Sequence, residues 1–217
     1  IYRFGTSLTG AKNGPASPEA TGLEVDKMDG QAVRDYIEHY IRLYQDATGG
    51  QIGSRGIGYL LIDSYESGKQ TWTRHMASEF ERRRGYSLIP WLPVLTGQII
   101  GSVKESEQFL YDYRQTIGAL MDEGLYSQVI QAAKRHGMKT YVESHENGRQ
   151  LLADGISIKS KADIPMGAMW AEKSADLSMY ECDLRESAST AHIYGKKYVA
   201  GESSTADGRH AMCSTFS

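Results

Sequence analysis

Hydrophobic positions along this chain recur at two spacings that alternate. Short β-prone runs stand at Tyr2-Arg3-Phe4, Gly58-Tyr59-Leu60-Leu61-Ile62, Lys139-Thr140-Tyr141-Val142, Ile164-Pro165-Met166 and Lys197-Tyr198-Val199-Ala200. Between most of them apolar residues fall three and four apart, the spacing that gathers side chains on one helical face. Val33, Ile37, Tyr40, Ile41 and Tyr44 predict a helix that opens after Asp29 and stops at Gly49-Gly50. Met76, Ala77 and Phe80 predict a second, from near Thr73 to Gly85. The longest opens with Ser102-x-x-Glu105, a capping-box spacing, carries Phe109, Tyr113, Ile117, Leu120, Met121 and Leu125, and stops at Gly137. A shorter one opens with Asp183-x-x-Glu186 and ends at Gly195.

Strands alternating with helices predict an α/β fold with a parallel sheet of about five strands. That leaves an open doubly wound sheet or part of a (β/α)8 barrel of the TIM type. No G-x-G-x-x-G follows a strand and no P-loop occurs, which weighs against the nucleotide-binding sheet. The glycine-rich stretch from Gly53 to Gly58 precedes a strand and reads as a turn. With no internal repeat and no linker composition, residues 1–217 read as one unit.

The charge adds exclusions. Against 24 basic residues stand 27 acidic ones, for a net charge of −3, and the longest basic run is Arg82-Arg83-Arg84 inside a helical pattern, so a nucleic-acid partner is not expected. No window is apolar enough for a membrane span. Cys182 and Cys213 are too few for a disulfide framework or a cysteine metal site. The start at Ile1 suggests processing or a longer parent chain.

Chemistry gathers just past the strands. Asp63 and Glu66 follow the second β-prone run, Glu143, Ser144, His145 and Glu146 close the third, Trp170 follows the fourth and Glu202 the fifth. In a parallel sheet all strand C-termini point to one rim, where active sites are built. Taken singly, a carboxylate past a strand is an ordinary loop residue. Three at successive strand ends are costly to cluster unless a metal, a shared proton or hydrogen bonds compensate. Trp72, Trp91 and Trp170 would serve packing or sugar stacking equally well, and the excess of Tyr (14, against 4 Phe) suits a polar groove. No H-E-x-x-H and no G-x-S-x-G occur, which disfavours zinc hydrolysis and an esterase triad. Paired carboxylates with aromatics fit glycoside hydrolysis best.

At these residues the chain resembles glycoside hydrolase family 106, the α-L-rhamnosidases. The stretch from Asp63-Ser64-Tyr65-Glu66 through Gly68, Gln70 and Trp72-Thr73 resembles the family's D-S-W-E-x-G-x-Q-N-W-T. The likeness extends through Phe80 to Tyr86, Pro90 to Gly97, Ala162 to Gly167, Ala191 to Lys196 and Gly201 to Ala206. The resemblance implies that residues 1–217 form a partial (β/α)8 catalytic domain of a larger multi-domain enzyme. That enzyme would remove terminal α-L-rhamnose with inversion, depend on calcium and act in the periplasm or outside the cell. It implies Glu66 as general acid, Glu202 as general base and Asp63 as a supporting carboxylate. Trp72, Glu143, Trp170 and His145 would contact the sugar, and Asp63, Glu143, Glu24 and Asp26 are the candidate calcium donors, since a hard ion takes oxygen ligands. Tyr65 replaces an expected Trp, Thr71 an expected Asn and Ala168 an expected carboxylate. Two other readings stand beside the enzyme: a carbohydrate-binding barrel remnant without turnover, and a divalent-metal lyase or isomerase. A part-barrel would expose sheet edges and self-associate.

Overall fold

The computed structural model describes residues 1–14, 16–66, 68–145, 152–169 and 177–203, with side chains from Glu181 onward in the last stretch. Helix α1 (Gly30–Ala47) opens on Asp29, whose Oδ1 accepts from the backbone N–H groups of Gln31 and Ala32, and buries Val33, Ile37 and Ile41. Strand β1 (Tyr59–Ile62) leads through a long loop to α2 (Met76–Arg84), which ends at Gly85 in the left-handed conformation (φ 80°). Helix α3 (Val103–Met121) runs through one π-helical turn (Asp122–Tyr126) into α4 (Ser127–Arg135). Strand β2 (Lys139–Val142), α5 (Gly155–Lys161), β3 (Ile164–Met169), α6 (Leu177–Ile193) and β4 (Ala200–Ser203) complete the order.

The four strands are all parallel and lie in the order β1-β2-β3-β4. This corrects the expected five. The run at Tyr2-Arg3-Phe4 forms no strand: both aromatics are exposed and only their own rings stack. Among the described residues the sheet is open, and its sequential order lacks the reversal that defines a doubly wound sheet. Right-handed crossovers in a constant direction place the helices on one face. Leu60 and Ile62 pack there against Val33, Ile37, Ile41 and Val129, and Val142 against Ile158 and Ala162. At Gly167 helix α6 approaches so closely that a Cβ would lie 2.7 Å from the Asp183 carbonyl oxygen and 3.0 Å from Ser187 Oγ.

Two more helix boundaries differ from expectation. Asp183 and Glu186 do not open α6 but lie within it, and Glu186 pairs there with the buried Lys159 (2.8 Å) instead of capping the helix start. The long helix expected to reach Gly137 is one continuous rod only through its π turn. There a Cβ on Gly124 would stand 2.7 Å from the Lys27 carbonyl oxygen, so the widened turn receives the backbone of the 24–29 loop. A second core, built on Phe80, Phe109, Leu88, Met121 and Tyr113, lies between α2, α3 and a 3-10 segment at Ile89–Thr96, and it includes Tyr65 from the β1–α2 loop.

Candidate active site

The face of the sheet away from the helices carries the carboxylates. Register pairs Ile62 with Val142, and Ala168 with Glu202. Side chains alternate along a strand and paired residues share a face, so Asp63, Glu143, Ala168 and Glu202 emerge on the same side. One oxygen each from Asp63, Glu143 and Glu202 lies within 4.8 Å of the others. Asp63 is exposed, Glu202 half-buried and Glu143 only 2% exposed. β4 begins later than the sequence suggests, at Ala200, so Glu202 is held inside the strand instead of after it. Ala168, 1% exposed, lies on the strand between Glu143 and Glu202. Its small side chain leaves the span across β3 to the two longer acids.

The loop after β2 is pinned from two sides. The Ser144 carbonyl accepts from the fully buried Tyr126 hydroxyl (2.8 Å) and from the Tyr65 N–H (3.0 Å). His145 is buried between the rings of Tyr65 (5.7 Å) and Tyr126 (6.4 Å) and accepts at Nε2 from the Leu152 N–H. Burial holds its basicity below that of an ordinary histidine, the Lys159 charge adds to this, and the Glu186 charge opposes it. Among the described residues, Ser144 Oγ and His145 Nδ1 are buried with no hydrogen-bond partner.

Glu66 is exposed, three residues beyond Asp63, and its Oε1 accepts from Ser64 Oγ (3.0 Å). A cleft of about 490 Å³ brings Glu66, Asp63, Ser64 and Tyr65 together with Glu24 and Lys27. A second, of about 460 Å³, has Trp72 and Gln70 in its wall, again with Glu24, Asp26, Lys27 and Tyr65. Glu24 and Asp26 do not join the carboxylate cluster. Glu24 pairs with Lys27 Nζ, and both oxygens of Asp26 accept hydrogen bonds: Oδ1 from the Met28 N–H and Gln70 Nε2, Oδ2 from Thr73 Oγ1 (2.7 Å). Trp170, expected beside the sugar, lies outside the described residues. Sequence reasoning missed Tyr126, Gln70 and the Lys159–Glu186 pair. Gln70 stands in the family-like stretch, and its spacing from Asp183 presents Glu186 only as part of a helix cap.

The donor set suits a hard cation. Oxygens bound to one calcium stand up to about 5 Å apart, twice the usual 2.3–2.6 Å bond, and the cluster meets that limit.

Comparison with known proteins places the chain among carbohydrate-active enzymes. Residues 1–214 match the glycoside hydrolase 106 family model, described as alpha-L-rhamnosidase. The solved rhamnosidase from Novosphingobium sp. PP1Y is 45% identical with a TM-score of 0.83, over 90% of this chain and 19% of its own. A protein of Formosa agariphila named putative beta-glucuronidase is 36% identical over 208 residues, 96% of this chain. The chain spans only 17% of that relative's length.

Proposed function

Because this chain belongs to glycoside hydrolase family 106, we propose that it supplies the catalytic centre of an inverting glycosidase acting on terminal α-L-rhamnosyl linkages. The observation that carries the reading is the convergence of Asp63, Glu143 and Glu202 on one rim, with Glu66 on the adjoining loop. Glu66 donates its proton to the glycosidic oxygen as the bond to the anomeric carbon breaks. Glu202 accepts a proton from the water that attacks the opposite face of the sugar, using the carboxylate oxygen it does not lend to the cluster. Asp63 and Glu143 would hold calcium, with one oxygen of Glu202 beside them. When bound, calcium supplies a positive charge that offsets the three carboxylates and orients sugar hydroxyls. Trp72 gives a half-buried aromatic wall for the leaving group.

The relative named as a glucuronidase raises a competing sugar. A glucuronide brings its own carboxylate into a rim already carrying three, and Lys27, the cation common to both clefts, is paired with Glu24. An uncharged 6-deoxy sugar fits this field better.

The test is sugar release by the complete polypeptide from rhamnosides and glucuronides, with and without chelator, beside Glu66→Gln and Glu202→Gln. Rhamnose release with an inverted product anomer is expected. Each substitution should cost about 10²–10⁴-fold in rate, and chelator should suppress release. Glycan binding without turnover would transfer the reading to a binding module, and release that survives Glu202→Gln would remove it as the base.

A further inference from the structure

We propose that Asp26 is a positioning residue for the general acid. The inference rests on the reading of Glu66 just given. The loop from Asp63 to His75 has two anchors. On the near side Tyr65 is buried, donates its N–H to the Ser144 carbonyl and lies under Lys27 Nζ (5.7 Å from the ring centroid). On the far side the anchor is Asp26. Its Oδ1 takes the Gln70 amide, its Oδ2 takes the Thr73 hydroxyl at 2.7 Å, and the next residue's N–H reaches Gln70 Oε1 at 3.1 Å. Gln70 is thus clasped through both ends of its amide by Asp26 and Lys27. Tyr113 adds its hydroxyl to the Thr71 carbonyl, and Arg74 pairs with the buried Asp29 at 2.7 Å.

Glu66 is the exposed residue that starts the span between these anchors. Ser64 Oγ holds its carboxyl from the near side (3.0 Å), and the chain that leads away from it is held at Gln70 and Thr73. Asp26 is itself fixed from below, because the Lys27–Met28 backbone rests on Gly124 in the π turn. Three donors point at the Asp26 carboxylate, which is the surrounding of an anion employed in hydrogen bonding and not of a calcium ligand. Asp26, one of the calcium donors expected from the sequence, thus has a different part in the same reaction.

A misplaced acid has a chemical signature. It slows cleavage of glycosides whose leaving group needs a proton and spares those whose leaving group departs as a stable anion. The experiment compares Asp26→Asn, Gln70→Leu and Thr73→Val with Glu66→Gln in the complete polypeptide. The substrates are an alkyl α-L-rhamnoside and the 2,4-dinitrophenyl α-L-rhamnoside, and calcium affinity is measured by titration calorimetry. Thr73→Val exchanges a hydroxyl for a methyl of the same shape, so it keeps the test standing should Asp26→Asn fold poorly. The expected result is a loss of kcat of about 10²-fold on the alkyl glycoside, the cost of misplacing a catalytic group by about an ångström. On the dinitrophenyl glycoside the loss should stay below about threefold, with calcium affinity unchanged. Equal losses on both substrates, no loss on either, or weakened calcium binding would overturn the proposal. If Glu66→Gln itself lacks the leaving-group selectivity, the acid assignment falls and takes this inference with it. Selectivity in Glu66→Gln alone removes only Asp26.

Discussion

Gly167 shows how one hydrogen atom sets the distance between a strand and its helix. It faces α6 from β3, and the carbonyl of Asp183 fills the space where a Cβ would be. Gly167→Ala is expected to lower stability by about 1–3 kcal/mol through overpacking, read from a shifted thermal or urea midpoint. The shift should also reach Ala168 and, across the ladder, Glu202. At this scale the site was half legible. Asp63, Glu143 and Glu202 stood out because each closes a β-prone run, and strand parity then fixes their common side. The true partners of Asp26 were hidden, because Gln70 and Thr73 lie more than forty positions away and no local spacing links them to a residue in an N-terminal loop. A carboxylate in a loop looks the same in sequence whether it binds an ion or an amide.

Elements are tied to one another by a few charged side chains at their ends. Glu38 on α1 accepts from Arg135 at the end of α4 (2.7 Å) and faces His136 Nε2 (2.7 Å). His136 and then Arg135 hold the Glu38 carboxyl below its ordinary value of 4.5. A depressed carboxyl stabilises the fold above the unfolded-state value, and that stability is lost as pH falls through the folded-state value. Glu38→Gln should therefore cost about 0.5–1 kcal/mol at pH 7, and the difference from the native chain should shrink as pH falls below 4.5 in paired urea melts. A second prediction concerns the π turn. Gly124→Ala would drive a methyl against the Lys27 carbonyl, displace the 24–29 loop and destabilise by about 1–3 kcal/mol. The loss is read as a lowered thermal midpoint, and an unchanged midpoint would mean that the turn does not rest on the Lys27 carbonyl. The helices were legible from their spacing, yet the π turn was not. Leu120, Met121 and Leu125 keep the helical rhythm straight through it, and only the contact made by Gly124 explains the extra residue in the turn.

At the scale of the whole sheet, the described residues cover the parallel strands on one side. Parallel strands are ordinarily buried on both faces, yet Tyr59 is 44% and Leu61 50% exposed on the face that carries the acids. Tyr59 meets Tyr141 of β2 at 4.9 Å, so the two rings and Leu61 form one apolar strip beside Asp63. β1 and β4 are also open edges among the described residues, each offering backbone groups to another strand. The strip and the edges act together, since a chain that pairs along β1 also covers Tyr59 and Leu61. Residues 1–217 expressed alone should therefore associate, giving a light-scattering mass above 24.1 kDa that rises with concentration. Leu61→Lys puts a charge on the strip and beside the edge, and it should raise the monomer fraction without changing the helical signal in circular dichroism, because Leu61 faces away from α1 and α4. A monodisperse native chain at 24.1 kDa would mean that the strip is tolerated in water and that association is no part of how this sheet is used.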